Sequence, residues 1–123
     1  MNASPDVLVE DAGLVRVLTL HNPARRNALT ADVLRKLQTA IAPTSFRAFI
    51  LRGEGERAFC SGYDLQSLEP VGEGALPDDL IGEVYAQIEA HPSPFIACLN
   101  GAAFGAGFEL ATACDFRIAT GSA

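Results

Sequence analysis

The hydrophobic pattern lays out a sequence of elements along the chain. Residues 7–10 and 14–20 are rich in Val and Leu, and Asp11-Ala12-Gly13 lies between them, which predicts two strands joined by a turn. "NPARRNAL" (22–29) follows as a loop. Thr30 is then placed to cap a helix, with Asp32 in the first turn, where the helix dipole favours a negative charge. Val33, Leu34, Leu37 and Ile41 recur at helical spacing, and Pro43 stops the run. "FRAFILR" (46–52) is nearly apolar and predicts a central strand, and "GEGER" (53–57) an exposed turn. "AFCSGYDL" (58–65) predicts a strand end entering a tight turn.

The second half continues in the same style. Residues 69–77, "EPVGEGALP", have no periodicity and predict a loop. Asp78 and Asp79 suit the start of a helix whose apolar face is Leu80, Ile81, Val84, Tyr85 and Ile88, ended by Pro92 and Pro94. "FIACL" (95–99) predicts a short buried strand, residues 105–113 a helix, and "DFRIAT" (115–120) a last strand. This order predicts an α/β fold with buried parallel pairing. The last strand reads as central, yet only three residues follow Thr120. Either it is an exposed edge, which proteins usually avoid, or the chain has been cut from something longer.

Composition narrows the function classes. The chain of 123 residues fits one domain, and its 49% hydrophobic content supports a buried core. A net charge of −6 without a basic stripe argues against a nucleic-acid surface. Cys60, Cys98 and Cys114 form no CxxC pair and read as reduced, buried thiols of a cytoplasmic protein. His21 and His91 are far apart, so a metal site is the lesser reading. The N-terminus has no basic region followed by an apolar run, so no signal peptide is expected. Phe95 to Ala113 is apolar enough to suggest a membrane span, but its glycines, Asn100 and Glu109 favour a buried strand, turn and helix.

Candidate chemistry centres on "NGAAFGAGFELA" (100–111), where Glu109 stands among Gly, Ala, Phe and Leu. It reads either as a first-turn acid facing water or as a catalytic carboxylate in an apolar pocket, where burial would suit it to proton transfer. The small residues before it admit close approach of a ligand to the backbone, and N–H groups at a helix start are free donors. A donor cluster beside an acid is what a developing oxyanion requires. Gly105-x-Gly107 lacks the third glycine of a dinucleotide loop, since Leu110 stands there. In "AFCSGYDL", Cys60 or Ser61 makes a poor nucleophile, with no elbow motif and no base placed by sequence. A second oxyanion donor fits better, because Gly62 permits an unusual backbone angle just before the Tyr63 N–H. Arg25 and Arg26 are either solvated loop charges or a grip for phosphate or carboxylate.

Taken together, "HNPARRNAL", "AFCSGYDL" and "PFIACLNGAAFGAGFELATACDFRIAT" resemble the crotonase family, the enoyl-CoA hydratase/isomerase superfamily, over nearly the whole chain. The resemblance implies a spiral of repeated β-β-α units, usually assembled as trimers or dimers of trimers, with residues 1–123 forming the N-terminal portion of one acyl-CoA-binding domain. It implies acyl-CoA thioesters as substrates and no permanently bound cofactor. Matched motif to motif, the oxyanion hole falls on the N–H groups of Tyr63 and Ala106. The nucleotide end of CoA falls near Ala24, Arg25 and Arg26 and the backbone of Ser61, Gly62, Asp64 and Leu65. Glu109 matches the first of two glutamates that the hydratases use to add water to a 2-enoyl thioester.

The chain departs from the family pattern in two places. Ala106 stands where many members have glycine, which still leaves a backbone N–H. The second glutamate belongs beyond the strand matching "DFRIAT", with a helical region after it, and the sequence ends before both. A hydratase is therefore one expectation. An isomerase, decarboxylase or thioester hydrolase with the same oxyanion hole is another. A non-catalytic CoA-binding protein that associates with a full-length relative is the third.

Overall fold

The structure, a computed structural model, describes residues 4–64, 77–121 and 123. Its elements, in order, are β1 (Asp6–Ala12), β2 (Val15–His21), a 3-10 turn (Pro23–Arg25), α1 (Ala31–Ile41), β3 (Ala48–Gly53) and β4 (Ala58–Cys60). They continue with α2 (Pro77–Ala90), β5 (Phe95–Leu99), β6 (Ala102–Ala103), α3 (Ala106–Ala113) and β7 (Phe116–Ala119). The repeat is two strands and then a helix. A five-stranded sheet runs in the order β1-β2-β3-β5-β7, antiparallel between β1 and β2 and parallel elsewhere. β4 and β6 form a separate parallel pair. The expected α/β architecture with parallel pairing is therefore present. β6 is an addition, since two alanines carry no periodic signal.

The core sits between the sheet and the helices. Leu18, Leu20, Phe49, Leu51 and Phe95 are buried on the sheet, and Val33, Leu34, Leu37 and Ile41 on α1. Phe49 and Phe95 are register partners on β3 and β5, and their rings stack with centroids 4.5 Å apart. α1 starts as the sequence indicates: the Val33 N–H donates to Thr30 Oγ1 at 3.1 Å, satisfying one open donor of the first turn. On α2, Leu80, Ile81, Val84 and Ile88 are buried. His91 serves the core as well. Ser93 N–H donates to its Nδ1 at 3.0 Å, so Nε2 carries the proton that reaches the Pro43 carbonyl, also at 3.0 Å.

The last strand is present, and of the two alternatives for it the exposed edge is what the structure shows. β7 lies at the sheet edge, and all four of its residues are exposed, Phe116 and Ile118 to 61% and 63%. It is nonetheless anchored firmly. Asp115 accepts the Phe95 N–H on Oδ2 at 2.7 Å and donates its own N–H to the Phe95 carbonyl at 2.9 Å. Arg117 Nη1 donates to the carbonyls of Cys114 at 2.9 Å and Ala111 at 3.2 Å, which closes the C-terminal end of α3. The apolar run Phe95–Ala113 resolves into β5, β6 and α3, and no helix among the described residues is long and apolar enough to cross a membrane.

Candidate active site

The site is assembled from the loop after β2, the turn after β4 and the start of α3. In the first, Arg26 and Asn27 take left-handed φ values of 52° and 62°. Asn27 holds this shape with its side chain: Oδ1 accepts the Asn22 N–H at 3.1 Å, and Nδ2 donates to the carbonyls of Glu54 and Ala58 at 3.0 and 2.9 Å. The loop then presents carbonyls to the turn after β4. Ser61 Oγ donates to Arg25 O at 2.7 Å and Ser61 N–H to Arg26 O at 3.1 Å.

Next, Leu29 and Tyr63 form a parallel bridge. Leu29 N–H donates to Gly62 O at 2.7 Å, and Asp64 N–H donates to Leu29 O at 2.8 Å. In parallel pairing such bonds are made by the residues flanking Tyr63. The peptide groups of Tyr63 itself therefore face away from Leu29, and its N–H has no acceptor among the described residues.

The start of α3 is equally selective. The Phe104 carbonyl accepts the N–H groups of Gly107 at 2.8 Å and Phe108 at 3.4 Å, and Gly105 O accepts that of Glu109 at 3.0 Å. Within the first turn of α3 this leaves the N–H of Ala106 without an acceptor among the described residues. Two glycines bring it beside Tyr63. At Gly107 an added Cβ would lie 2.3 Å from Cys60 O, so only glycine lets α3 approach β4 this closely. At Gly62, with φ of +107°, an added Cβ would lie 3.7 Å from Ala106 N. The turn leading into the Tyr63 N–H therefore abuts the Ala106 N–H. Tyr85, on α2, donates its hydroxyl to Ala106 O at 2.9 Å and fixes the first turn of α3.

A cleft of about 560 Å³ opens here. One wall is Ser61, Gly62 and Tyr63, a second is Gly105, Ala106 and Glu109, and the third is Ile81, Gly82 and Tyr85 from α2. Glu109 does face the cleft, but it is exposed, so the apolar burial expected around its carboxylate is not present. The reason is helical phase: α3 buries Gly107, Leu110 and Ala111, and Glu109 falls off that face. Cys60 is buried beneath the turn, and burial pushes its thiol up to about 12. A neutral thiol and a Ser61 hydroxyl committed to Arg25 O leave neither as a nucleophile.

A second cleft of about 310 Å³ shares Ser61 and is lined by Arg26, Arg57, Ala58, Ala102 and Phe104. Of the residues that the sequence suggested for the nucleotide end, Arg26, Ser61 and Gly62 line one cleft or the other. Ala24 and Arg25 sit exposed on the adjoining 3-10 turn and line neither, and Asp64 is buried behind Tyr63. Leu65, and residues 69–76 of the expected loop, lie outside the described residues. The sequence reading missed Arg57, taken for part of an exposed turn. It also missed the contribution of Gly82, and of Ile81 and Tyr85, whose helical spacing signalled only packing. No group of three metal-ligating side chains occurs among the described residues. A groove of about 500 Å³ between the first strands and α1 is remote from this chemistry, and its Arg16 and Lys36 are paired with Asp11, Asp6 and Asp32.

Known proteins share this fold and much of the sequence. The family model for enoyl-CoA hydratase/isomerase matches residues 10–123. YngF of Bacillus subtilis is 44% identical over 113 residues, 87% of this chain and 44% of YngF. The short-chain-enoyl-CoA hydratase of Clostridium acetobutylicum is 35% identical over 124 residues, 96% of this chain and 48% of that enzyme. The crystal structure of an enoyl-CoA hydratase/isomerase from Xanthobacter autotrophicus Py2 superposes with a TM-score of 0.85 at 32% identity, covering 95% of this chain and 46% of that one. The chain thus spans about half the length of the curated relatives it matches.

Proposed function

Because the chain belongs to the enoyl-CoA hydratase/isomerase family, we propose that its cleft binds an acyl-CoA thioester and that Glu109 serves as acid and base in hydrating a 2-enoyl thioester. The observation that carries this reading is the pair of unbonded N–H groups, Tyr63 and Ala106, on two turns that glycines hold against each other. The thioester oxygen accepts both. Donors fixed before the reaction need no reorganisation as charge develops, and loss of one such donor costs about 10²–10³ in rate in other enzymes.

The electron flow follows from that placement. Water adds its oxygen to the β-carbon while the Glu109 carboxylate takes the proton that water loses. The π electrons of the double bond move onto the thioester oxygen, held by the two N–H groups as an enolate. Collapse of the enolate takes a proton at the α-carbon, which Glu109 returns, and the product is a 3-hydroxyacyl thioester. The exposure of Glu109 at the cleft rim supports access of water to it. The nucleotide end extends past Ser61 into the second cleft, where the guanidinium groups of Arg26 and Arg57 meet its phosphates. Apart from water, the small molecule required is the CoA thioester itself.

The test is hydration of crotonyl-CoA, followed by loss of the ultraviolet absorbance of the conjugated thioester. Glu109→Gln is expected to lower the rate by about 10²–10⁴ while melting as the parent does. Equal rates would remove Glu109 from the mechanism. A second reading draws on Phe116 and Ile118, both more than half exposed on the edge strand β7. It makes the chain a CoA-binding protein that associates, through this face, with further copies or a full-length relative. CoA binding without turnover, together with a trimeric or hexameric mass in solution, would favour it.

A further inference from the structure

We propose that Gly82 is the residue that sets how large an acyl group the cleft accepts, and that its lack of a side chain suits the site to thioesters longer than four carbons. The inference rests on the acyl-CoA reading above. Gly82 lies inside α2, where glycine is among the weakest helix formers. A buried structural need would justify it, but neither usual need is present. Its φ is not positive, unlike those of Gly13, Gly55, Gly62 and Gly105. An added Cβ would meet nothing within 4 Å among the described residues. What Gly82 does is line the cleft, between Ile81 and Tyr85 on the same helix.

The direction of a bound thioester assigns that wall to the acyl end. Its carbonyl is held at Tyr63 and Ala106, and its nucleotide end leaves past Ser61, the residue shared with the Arg26 and Arg57 cleft. The carbons beyond the reacting pair therefore run the other way, towards α2. There they meet Ile81 and the Tyr85 ring, with the open position of Gly82 between them. A side chain at 82 would occupy the volume that those distal carbons need and leave the carbonyl end untouched.

The experiment is calorimetric titration of the parent, Gly82→Ala and Gly82→Leu with butyryl-CoA and with decanoyl-CoA. The parent is expected to bind decanoyl-CoA more tightly. Gly82→Leu is expected to weaken decanoyl-CoA by at least about tenfold and to leave butyryl-CoA as in the parent, with Gly82→Ala between them. Both substitutions raise helix propensity, so thermal melts at or above the parent's exclude misfolding as the cause. Equal weakening of both thioesters, or of neither, overturns the role of Gly82 while the acyl-CoA reading stands. Failure of the parent to bind either thioester overturns that reading, and this inference falls with it.

Discussion

In the interior of the five-stranded sheet, donors are paired with acceptors and side chains fill the space. Leu18, Phe49, Leu51 and Phe95 are buried, and β1, β2, β3 and β5 pair over continuous registers. The corner where β4, β6 and α3 meet is built the other way. Its close contact depends on a missing side chain at Gly107, and the N–H groups of Tyr63 and Ala106 have no acceptor among the described residues. An unpaired N–H costs free energy, and folding would normally remove it. The packed sheet supplies the stability that lets the corner keep two donors for a ligand. Stability and binding should therefore respond to different residues.

The largest effect expected is in the sheet. Phe49→Ala removes a fully buried ring stacked on Phe95 and should lower the unfolding free energy by about 3–5 kcal/mol in urea titrations. The fraction that stays folded should bind acyl-CoA as the parent does. Weakened binding by that fraction would blur the distinction. Gly107→Ala should invert the result. Forcing a methyl against Cys60 O costs about 1–3 kcal/mol, and acyl-CoA affinity should fall by more than the stability loss explains, because the Ala106 N–H moves.

Smaller effects sharpen the contrast. Tyr85→Phe and Thr30→Ala each remove one hydrogen bond and should cost about 1 kcal/mol by thermal melting. Only Tyr85→Phe should also weaken acyl-CoA binding, since it alone holds the first turn of α3. A further effect is absent at neutral pH and emerges only in alkali. Burial raises the thiols of Cys60 and Cys114 from 9.0 to about 12. Below 9.0 both states keep these protons; above it the unfolded chain loses them first. Stability should therefore fall as pH rises from 9.0 towards about 12, less steeply in a Cys60→Ala variant.

The same division explains what could be read from the chain. Elements held by apolar periodicity were legible: α1 with its Thr30 cap, and β2, β3 and β5 with their Val, Leu and Phe. Periodicity found the last strand but left its position open, since Phe116 and Ile118 have no cover among the described residues. In the corner, the short motifs indicated Tyr63, Ala106 and Glu109, and all three line one cleft. The sequence offered both an exposed and a buried Glu109 and could not choose between them, because the outcome depends on which face of α3 meets β4. The pairing of β4 with β6 was not legible, since it depends on two alanines. Tyr85 read only as part of an apolar helix face and Gly82 gave no signal, because their part in the site comes from the packing of α2 beside α3.

The central claim is that the N–H groups of Tyr63 and Ala106 receive one thioester oxygen. Amide resonances of the ¹⁵N-labelled protein, followed by NMR during titration with butyryl-CoA, test it most directly. Both amide protons should move downfield together and saturate at one ligand per chain. Saturation with either resonance unmoved, or with shifts confined to the groove beside α1, would contradict it.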